Sequence, residues 1–272
     1  MESLLFPILS LGGLGLLFGV ILGYASKKLS VKVDPKIPLV REALPSANCG
    51  GCGFAGCDDY AQAVVSKGVA LNLCTVGGSS VADKIGKIMG VSVNSIAPSK
   101  AYVKCQGTVT NANQKYAYDG PMNCLDAANL PGGGPKACVY GCMGLGSCIK
   151  ACDFDSIHII NGIAVVDEAM CTGCGNCVKA CPKHVIELTP LSKRVRVTCT
   201  SKLKGVLDVK TNCKVGCIAC GLCKINCPEK AIEIVNNLPI IEYDKCVQCG
   251  ICVVKCPTKA IFNLHQGLTK EN

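Results

Sequence analysis

Three segments of the chain repeat one cysteine spacing, C-x2-C-x2-C-x3-C: "CTGCGNCVKAC" from Cys171, "CIACGLCKINC" from Cys217 and "CVQCGICVVKC" from Cys246. A fourth, "CMGLGSCIKACD" from Cys142, has the same length, but Leu145 stands where the second cysteine should be. This is the spacing of thiolates that ligate iron–sulfur clusters. The chain holds 24 cysteines in 272 residues, with three His and no Trp. Such density means either a disulfide framework or a metal protein, and a spacing repeated this regularly selects metal.

A different set lies upstream. "CGGCGFAGC" together with Cys74 gives C-x2-C-x4-C-x16-C, comprising Cys49, Cys52, Cys57 and Cys74. Gly51, Gly53 and Gly56 spell G-x-G-x-x-G, but no strand pattern precedes them and cysteines fill the intervals, so a dinucleotide loop fails its context test. Zinc is the chemical rival for four cysteines. The neighbouring cluster motifs favour [4Fe–4S] here too.

The elements that position these residues are partly legible. "DDYAQAVVSKG" predicts a short helix begun by Asp58 and ended by Gly68, and "SSVADKIGKIMG" predicts another, capped by Ser80 and stopped at Gly90. From Ser3 to Ser26 there is no charged residue, a length sufficient at about 1.5 Å per residue to cross a core of roughly 30 Å. The segment is therefore expected to be a transmembrane helix, with Gly15, Gly19 and Gly23 either forming a packing face or reflecting the ordinary glycine content of membrane spans. Lys27, Lys28, Lys32 and Lys36 follow it, which puts the cluster domains on the cytoplasmic side of the cell membrane.

The motif pairs also repeat. Cys142–Cys152, Cys171–Cys181, Cys217–Cys227 and Cys246–Cys256 each span ten positions, and Cys152 to Cys171 and Cys227 to Cys246 each span nineteen. Two copies of a two-motif unit stand in tandem. The expected order is a helix over 1–27, a linker over 28–39, a four-cysteine domain over 40–97 and a connecting region over 98–136. A first unit over 137–190, a basic connector over 191–212 and a second unit over 213–272 complete it. The fold class is α+β.

Each unit resembles the bacterial two-cluster ferredoxin, with Pro182, Pro228 and Pro257 after the fourth cysteine and short strands expected in "KHVIEL", "EKAIEI" and "TKAIFN". In that family three cysteines of one motif share a cluster with the fourth of the other. The resemblance implies three sets: Cys171, Cys174, Cys177 with Cys152; Cys217, Cys220, Cys223 with Cys256; and Cys246, Cys249, Cys252 with Cys227. The remaining cluster has only Cys142, Cys148 and Cys181. Cys138, four positions before Cys142, is the expected fourth ligand, with Cys124 and Cys105 next in line and a three-iron site or no site as alternatives. Cys213 stands at the equivalent place before Cys217, where no ligand is missing. About five [4Fe–4S] clusters result. Cys105, Cys124, Cys199 and Cys213 are left over, either for a sixth cluster or as inert thiols.

One apolar helix, the C-x2-C-x4-C-x16-C module and then ferredoxin repeats, in that order, resemble the B subunit of the Rnf complex over essentially the whole chain. Two ferredoxin units resemble the versions of anaerobic bacteria, and Leu145 and Asp153 depart from the usual pattern. The resemblance implies an electron-relay subunit of a membrane-bound ferredoxin:NAD oxidoreductase that moves Na⁺ or H⁺. Its partners would be the other Rnf subunits and soluble ferredoxin. A membrane-tethered polyferredoxin of another respiratory oxidoreductase or hydrogenase is the alternative, and a corrinoid-linked protein would need a cobalamin domain for which no residues remain. No bond-making catalytic residue is expected; His158, His184 and His265 are isolated. The formal charge of +9 does not indicate nucleic acid, because five four-thiolate clusters would add roughly −10. The basic segment from Ser192 to Lys214, with Lys202 and Lys204, could instead dock an acidic ferredoxin or offset cluster charge.

Overall fold

The computed structural model describes residues 2–28, 34–92 and 98–263, with side chains from residue 11 onward. Lys32 of the basic flank and His265 lie outside the described residues. Helix α1 (Glu2–Lys28) precedes a module of α2 (Lys36–Ala43), α3 (Cys57–Lys67) and α4 (Gly78–Met89). Next come β1 (Ser99–Val103), α5 (Cys124–Ala128), α6 (Ser147–Lys150), β2 (Ile157–Ile160), β3 (Ile163–Val166), α7 (Asn176–Ala180) and β4 (Ile186–Pro190). The second unit contains β5 (Val195–Val197), α8 (Val206–Lys210), α9 (Leu222–Ile225), β6 (Ile232–Val235), β7 (Leu238–Ile241), α10 (Ile251–Lys255) and β8 (Ile261–Asn263).

The transmembrane part of the expected fold class does not stand. Among the described residues no helix is long and apolar enough to cross a membrane. The described side chains of α1 begin at Leu11, and the uncharged run from there to Ser26 rises only about 24 Å, short of a bilayer core. That run is also diluted by Gly12, Gly13, Gly15, Gly19 and Gly23 before Lys27 and Lys28 close it. The side chains of residues 3–10, on which the expectation also draws, lie outside the described residues. The single-pass location and the orientation built on the lysines fall with it.

The module packs Val40, Tyr60, Val64, Val81 and Ile85 into a core of its own. Helix α3 starts one residue before the expected Asp58, on Cys57, whose N–H donates to Asn48 Oδ1 at 2.8 Å. It ends as expected on Gly68. Helix α4 also ends on Gly90, but Ser80 does not cap it: the helix begins at Gly78, and the Ser80 hydroxyl donates to the Gly77 carbonyl at 3.1 Å.

Each ferredoxin-like unit is two antiparallel ribbons. In the first, β1 pairs with β4 from Ser99↔Pro190 to Val103↔Ile186, and β2 pairs with β3 around Asn161-Gly162. In the second, β5 pairs with β8 from Val195↔Asn263 to Val197↔Ile261, and β6 pairs with β7 around Asn236-Asn237. Both two-residue turns take positive φ throughout, the geometry that matches strand twist and favours Asn and Gly. The strands expected after the second, third and fourth motifs are present as β4, β6 and β8. β4 and β8 take as partners β1 and β5, which come from the stretches before the two units, so each unit reaches back to the residues before its first motif.

A buried contact joins the units. Arg196 on β5 is 1 % exposed; it lies 4.8 Å from the Tyr102 ring of β1 and 3.2 Å from Glu168 Oε1. Glu168 also accepts from Arg194 at 3.0 Å, and Tyr102 donates to the Val197 carbonyl at 2.9 Å. Burial pushes the Tyr102 hydroxyl pKa well up, with Glu187 next in effect. Three charges of the basic segment are thereby used inside the fold, since Lys193 also donates to the Tyr243 carbonyl. Lys202, Lys204, Lys210 and Lys214 remain exposed.

Candidate metal centres

All four motifs fold alike. In each, a glycine in the left-handed region precedes a single helical turn that carries the third cysteine: Gly146 at φ 81° before α6, Gly175 at 83° before α7, Gly221 at 76° before α9 and Gly250 at 77° before α10. A side chain there would meet the steric cost of the left-handed conformation. The segment with Leu145 therefore has the cluster-binding turn although it lacks the thiol.

Three of the sequence-derived sets ring cavities. Cys49, Cys52, Cys57 and Cys74 surround about 330 Å³ of empty space, part of it open to solvent. Cys152, Cys171, Cys174 and Cys177 surround about 260 Å³, and Cys227, Cys246, Cys249 and Cys252 about 350 Å³. Among the described residues no three His, Cys, Asp or Glu side chains converge closely enough for a single ion. A zinc site would need such convergence, because its sulfurs all lie about 2.3 Å from one centre. Thiols spread around a cavity fit a polynuclear group.

The thiols of Cys217, Cys220, Cys223 and Cys256 lie close enough to disfavour one another's ionisation. Burial pushes Cys217 up to about 11, with Cys199, Cys223 and Cys256 adding to the rise. Burial also raises Cys223, helped by Cys220 and Cys256. In the first unit burial raises Cys177 to about 11, with Cys171, Cys174 and Cys152 contributing. Cys152 goes the other way: burial raises it, but the Ser156 hydroxyl at 3.2 Å and backbone bonds from Ser156 and Phe154 outweigh that and hold it low. A metal reverses the penalty of crowded buried thiols, since coordination deprotonates them outright.

Beside the incomplete motif the nearest further thiol is Cys124, one of the two reserve candidates, and not Cys138. Burial pushes Cys148 up to about 12, and the neighbours that add to the rise are Cys142, Cys124 and Cys181. Cys124 opens α5, where Asn123 caps the helix and the Cys124 N–H donates to Ser147 Oγ at 2.7 Å. It packs against the cluster of Ala127, Met143 and Leu145, which includes the leucine at the second position of the motif. Cys138 is elsewhere, lining a cavity with Cys105, Cys199 and Cys213.

The N-terminal module sits directly on the first unit. A Cβ at Gly51 would lie 2.9 Å from the Cys174 carbonyl oxygen and 3.2 Å from its Cβ, and Asn176 Nδ2 donates to the Cys49 carbonyl at 3.1 Å. The close approach to another domain leaves no local signature.

Comparison with known proteins agrees with this architecture. Residues 44–76 match the family described as a putative Fe-S cluster, and residues 164–187 and 239–262 match the 4Fe-4S binding domain. The chain is 44% identical over 231 residues to the B subunit of the proton-translocating ferredoxin:NAD(+) oxidoreductase complex of Clostridium ljungdahlii, covering 84% of this chain and 81% of that one. The corresponding subunit of the Na(+)-translocating complex of Acetobacterium woodii is 44% identical over 246 residues, 90% of this chain and 73% of the relative. The B subunit of an ion-translocating oxidoreductase complex from Methanosarcina acetivorans is 44% identical over 236 residues, 86% and 89% of the two chains. The chain belongs to the family of Rnf complex B subunits. As a member of that family it is an electron-carrying subunit of an oxidoreductase complex, and its cofactors are [4Fe–4S] clusters. In this Rnf family member the N-terminal module, first unit and second unit follow one another as domains that touch.

Proposed function

We propose that this chain carries electrons from reduced ferredoxin through a row of [4Fe–4S] clusters inside a complex that reduces NAD and translocates Na⁺ or H⁺. The docking of Gly51 and Cys49 on Cys174 and Asn176 supports the reading most, because it makes the module continuous with the ferredoxin units. The ligand sets are Cys49, Cys52, Cys57, Cys74; Cys152, Cys171, Cys174, Cys177; Cys217, Cys220, Cys223, Cys256; and Cys227, Cys246, Cys249, Cys252. The fifth is Cys142, Cys148 and Cys181 with Cys124 in place of Cys138.

When bound, the clusters take up and release single electrons. The chain's own groups set how readily they do so, through burial and hydrogen bonds to sulfur. Gly77 N–H donates to Cys74 Sγ, Ala164 N–H to Cys142 Sγ and Ala231 N–H to Cys227 Sγ, each at 3.4 Å. Such donors favour the more negative, reduced state. Cys142, Cys148, Cys171, Cys177 and Cys181 are buried, whereas Cys220 and Cys249 of the second unit are exposed. Exchange with a soluble carrier is therefore assigned to the second unit, with the exposed Lys202 and Lys204 that precede it as the docking charges.

Mixing the anaerobic, cluster-loaded chain with reduced ferredoxin should bleach its visible absorbance. Lys202→Glu with Lys204→Glu should slow the bleaching about tenfold or more at low salt and little at high salt, as electrostatic steering requires. Absence of bleaching in the unsubstituted chain would contradict the relay, and an unchanged rate in the variant would remove the docking site.

A further inference from the structure

The cavity that holds Cys138 draws on both units symmetrically. The first unit contributes Cys105 and Cys138, and the second contributes Cys199 and Cys213, with Cys138 and Cys213 each four residues before the first cysteine of a motif. Cys105 Sγ accepts from the N–H of Gly107 and of Cys142, both at 3.3 Å. Cys199 Sγ accepts from Ser201 at 3.5 Å and from Cys217 at 3.3 Å. The two halves thus repeat one pattern, an i+2 amide and the amide of the next motif's first ligand.

The space between the thiols is kept open by glycine. A Cβ at Gly141 would lie 3.5 Å from Cys105 Sγ and 3.6 Å from Cys138 Sγ, and one at Gly107 would lie 3.3 Å from Cys105 Sγ and 3.9 Å from Cys213 Sγ. About 460 Å³ of empty space, part of it open to solvent, lies there. Lys136, 4 % exposed, lines the same cavity and donates to the carbonyls of Gly107 at 2.6 Å and Gly162 at 2.7 Å. Among the described residues no carboxylate pairs with it. A buried ammonium without a carboxylate needs negative charge nearby, which a four-thiolate cluster supplies at about −2.

We propose that Cys105, Cys138, Cys199 and Cys213 bind a further [4Fe–4S] cluster at the seam between the two ferredoxin units. Its place between the Cys142 and Cys217 sites makes it the bridge by which an electron leaves one unit and enters the other. That role rests on the relay reading; the site itself rests on the four thiols, the cavity and the lysine.

The test compares iron and acid-labile sulfide in anaerobically purified chains. Cys138→Ala and Cys213→Ala should each lose about four irons and four sulfides, or leave a three-iron cluster with its own electron paramagnetic resonance signal. Gly141→Leu keeps every thiol but fills the cavity, and should cost the same four irons, which covers the case of a cysteine variant that does not fold. After reduction of one unit, electrons should reach the other at least about tenfold more slowly in these variants. Unchanged iron in Cys213→Ala and Gly141→Leu, or one zinc per chain lost with Cys213, would overturn the site. If the other five clusters are still reduced by ferredoxin, that result leaves the relay reading intact.

Discussion

Cys124→Ala should remove one cluster from the first ferredoxin unit, a loss of about four irons per chain, and Leu145→Cys added to it should restore them. The expectation follows from the packing of Cys124 against the cluster that contains Leu145 and from its closeness to Cys148. Leu145 occupies the second position of the regular motif, and its turn already has the left-handed Gly146 of the complete motifs. A cysteine at 145 therefore regains a place built for it. The same Leu145→Cys change should fail to rescue Cys138→Ala, because Cys138 lines a different cavity. Rescue of Cys138→Ala but not of Cys124→Ala would return Cys138 to the incomplete motif and displace Cys124. Iron analysis of four variants checks the pair.

Gly51→Val should leave the iron content unchanged yet disconnect the N-terminal module. A Cβ there would press to 2.9 Å on the Cys174 carbonyl oxygen and 3.1 Å on its Cα, neither the flexible end of a side chain. The backbones must separate by several tenths of an ångström or more. Electron exchange between the Cys49 site and the Cys171 site should slow as the two separate, read by freeze-quench electron paramagnetic resonance after mixing with reduced ferredoxin. Unchanged exchange would show that the module passes its electrons elsewhere. Loss of iron would show that Gly51 serves its own site.

What can be read in the sequence is what repeats locally. The C-x2-C-x2-C-x3-C spacing and the strands after Cys181, Cys227 and Cys256 lie close together along the chain. They appear in the fold much as expected. The crossed ligation comes from resemblance to a known unit, and the cavities around Cys174 and Cys249 bring together the thiols it implies. What is hidden depends on distant partners. "SKAYV" and "VRV" are too short to declare themselves, and they become β1 and β5 because β4 and β8 offer edges. Cys138 suits the incomplete motif by sequence because it is four residues away along the chain. Cys124 is eighteen residues before Cys142, and only the packing of α5 on Leu145 brings it near. Arg196 reads as part of a solvated basic stretch, yet Tyr102 and Glu168 bury it. The apolar run after Ser3 misleads in another way, since among the described residues it does not supply a membrane-crossing helix.

On the proposed assignment the 24 cysteines of the chain fill six four-thiol sites with none left over. The most direct measurement is a combined count of iron, acid-labile sulfide and reagent-accessible thiols in the native chain, purified without oxygen. About 24 irons, about 24 sulfides and no free thiol are expected. About 20 irons with four titratable thiols, mapped by alkylation to Cys105, Cys138, Cys199 and Cys213, would contradict that assignment.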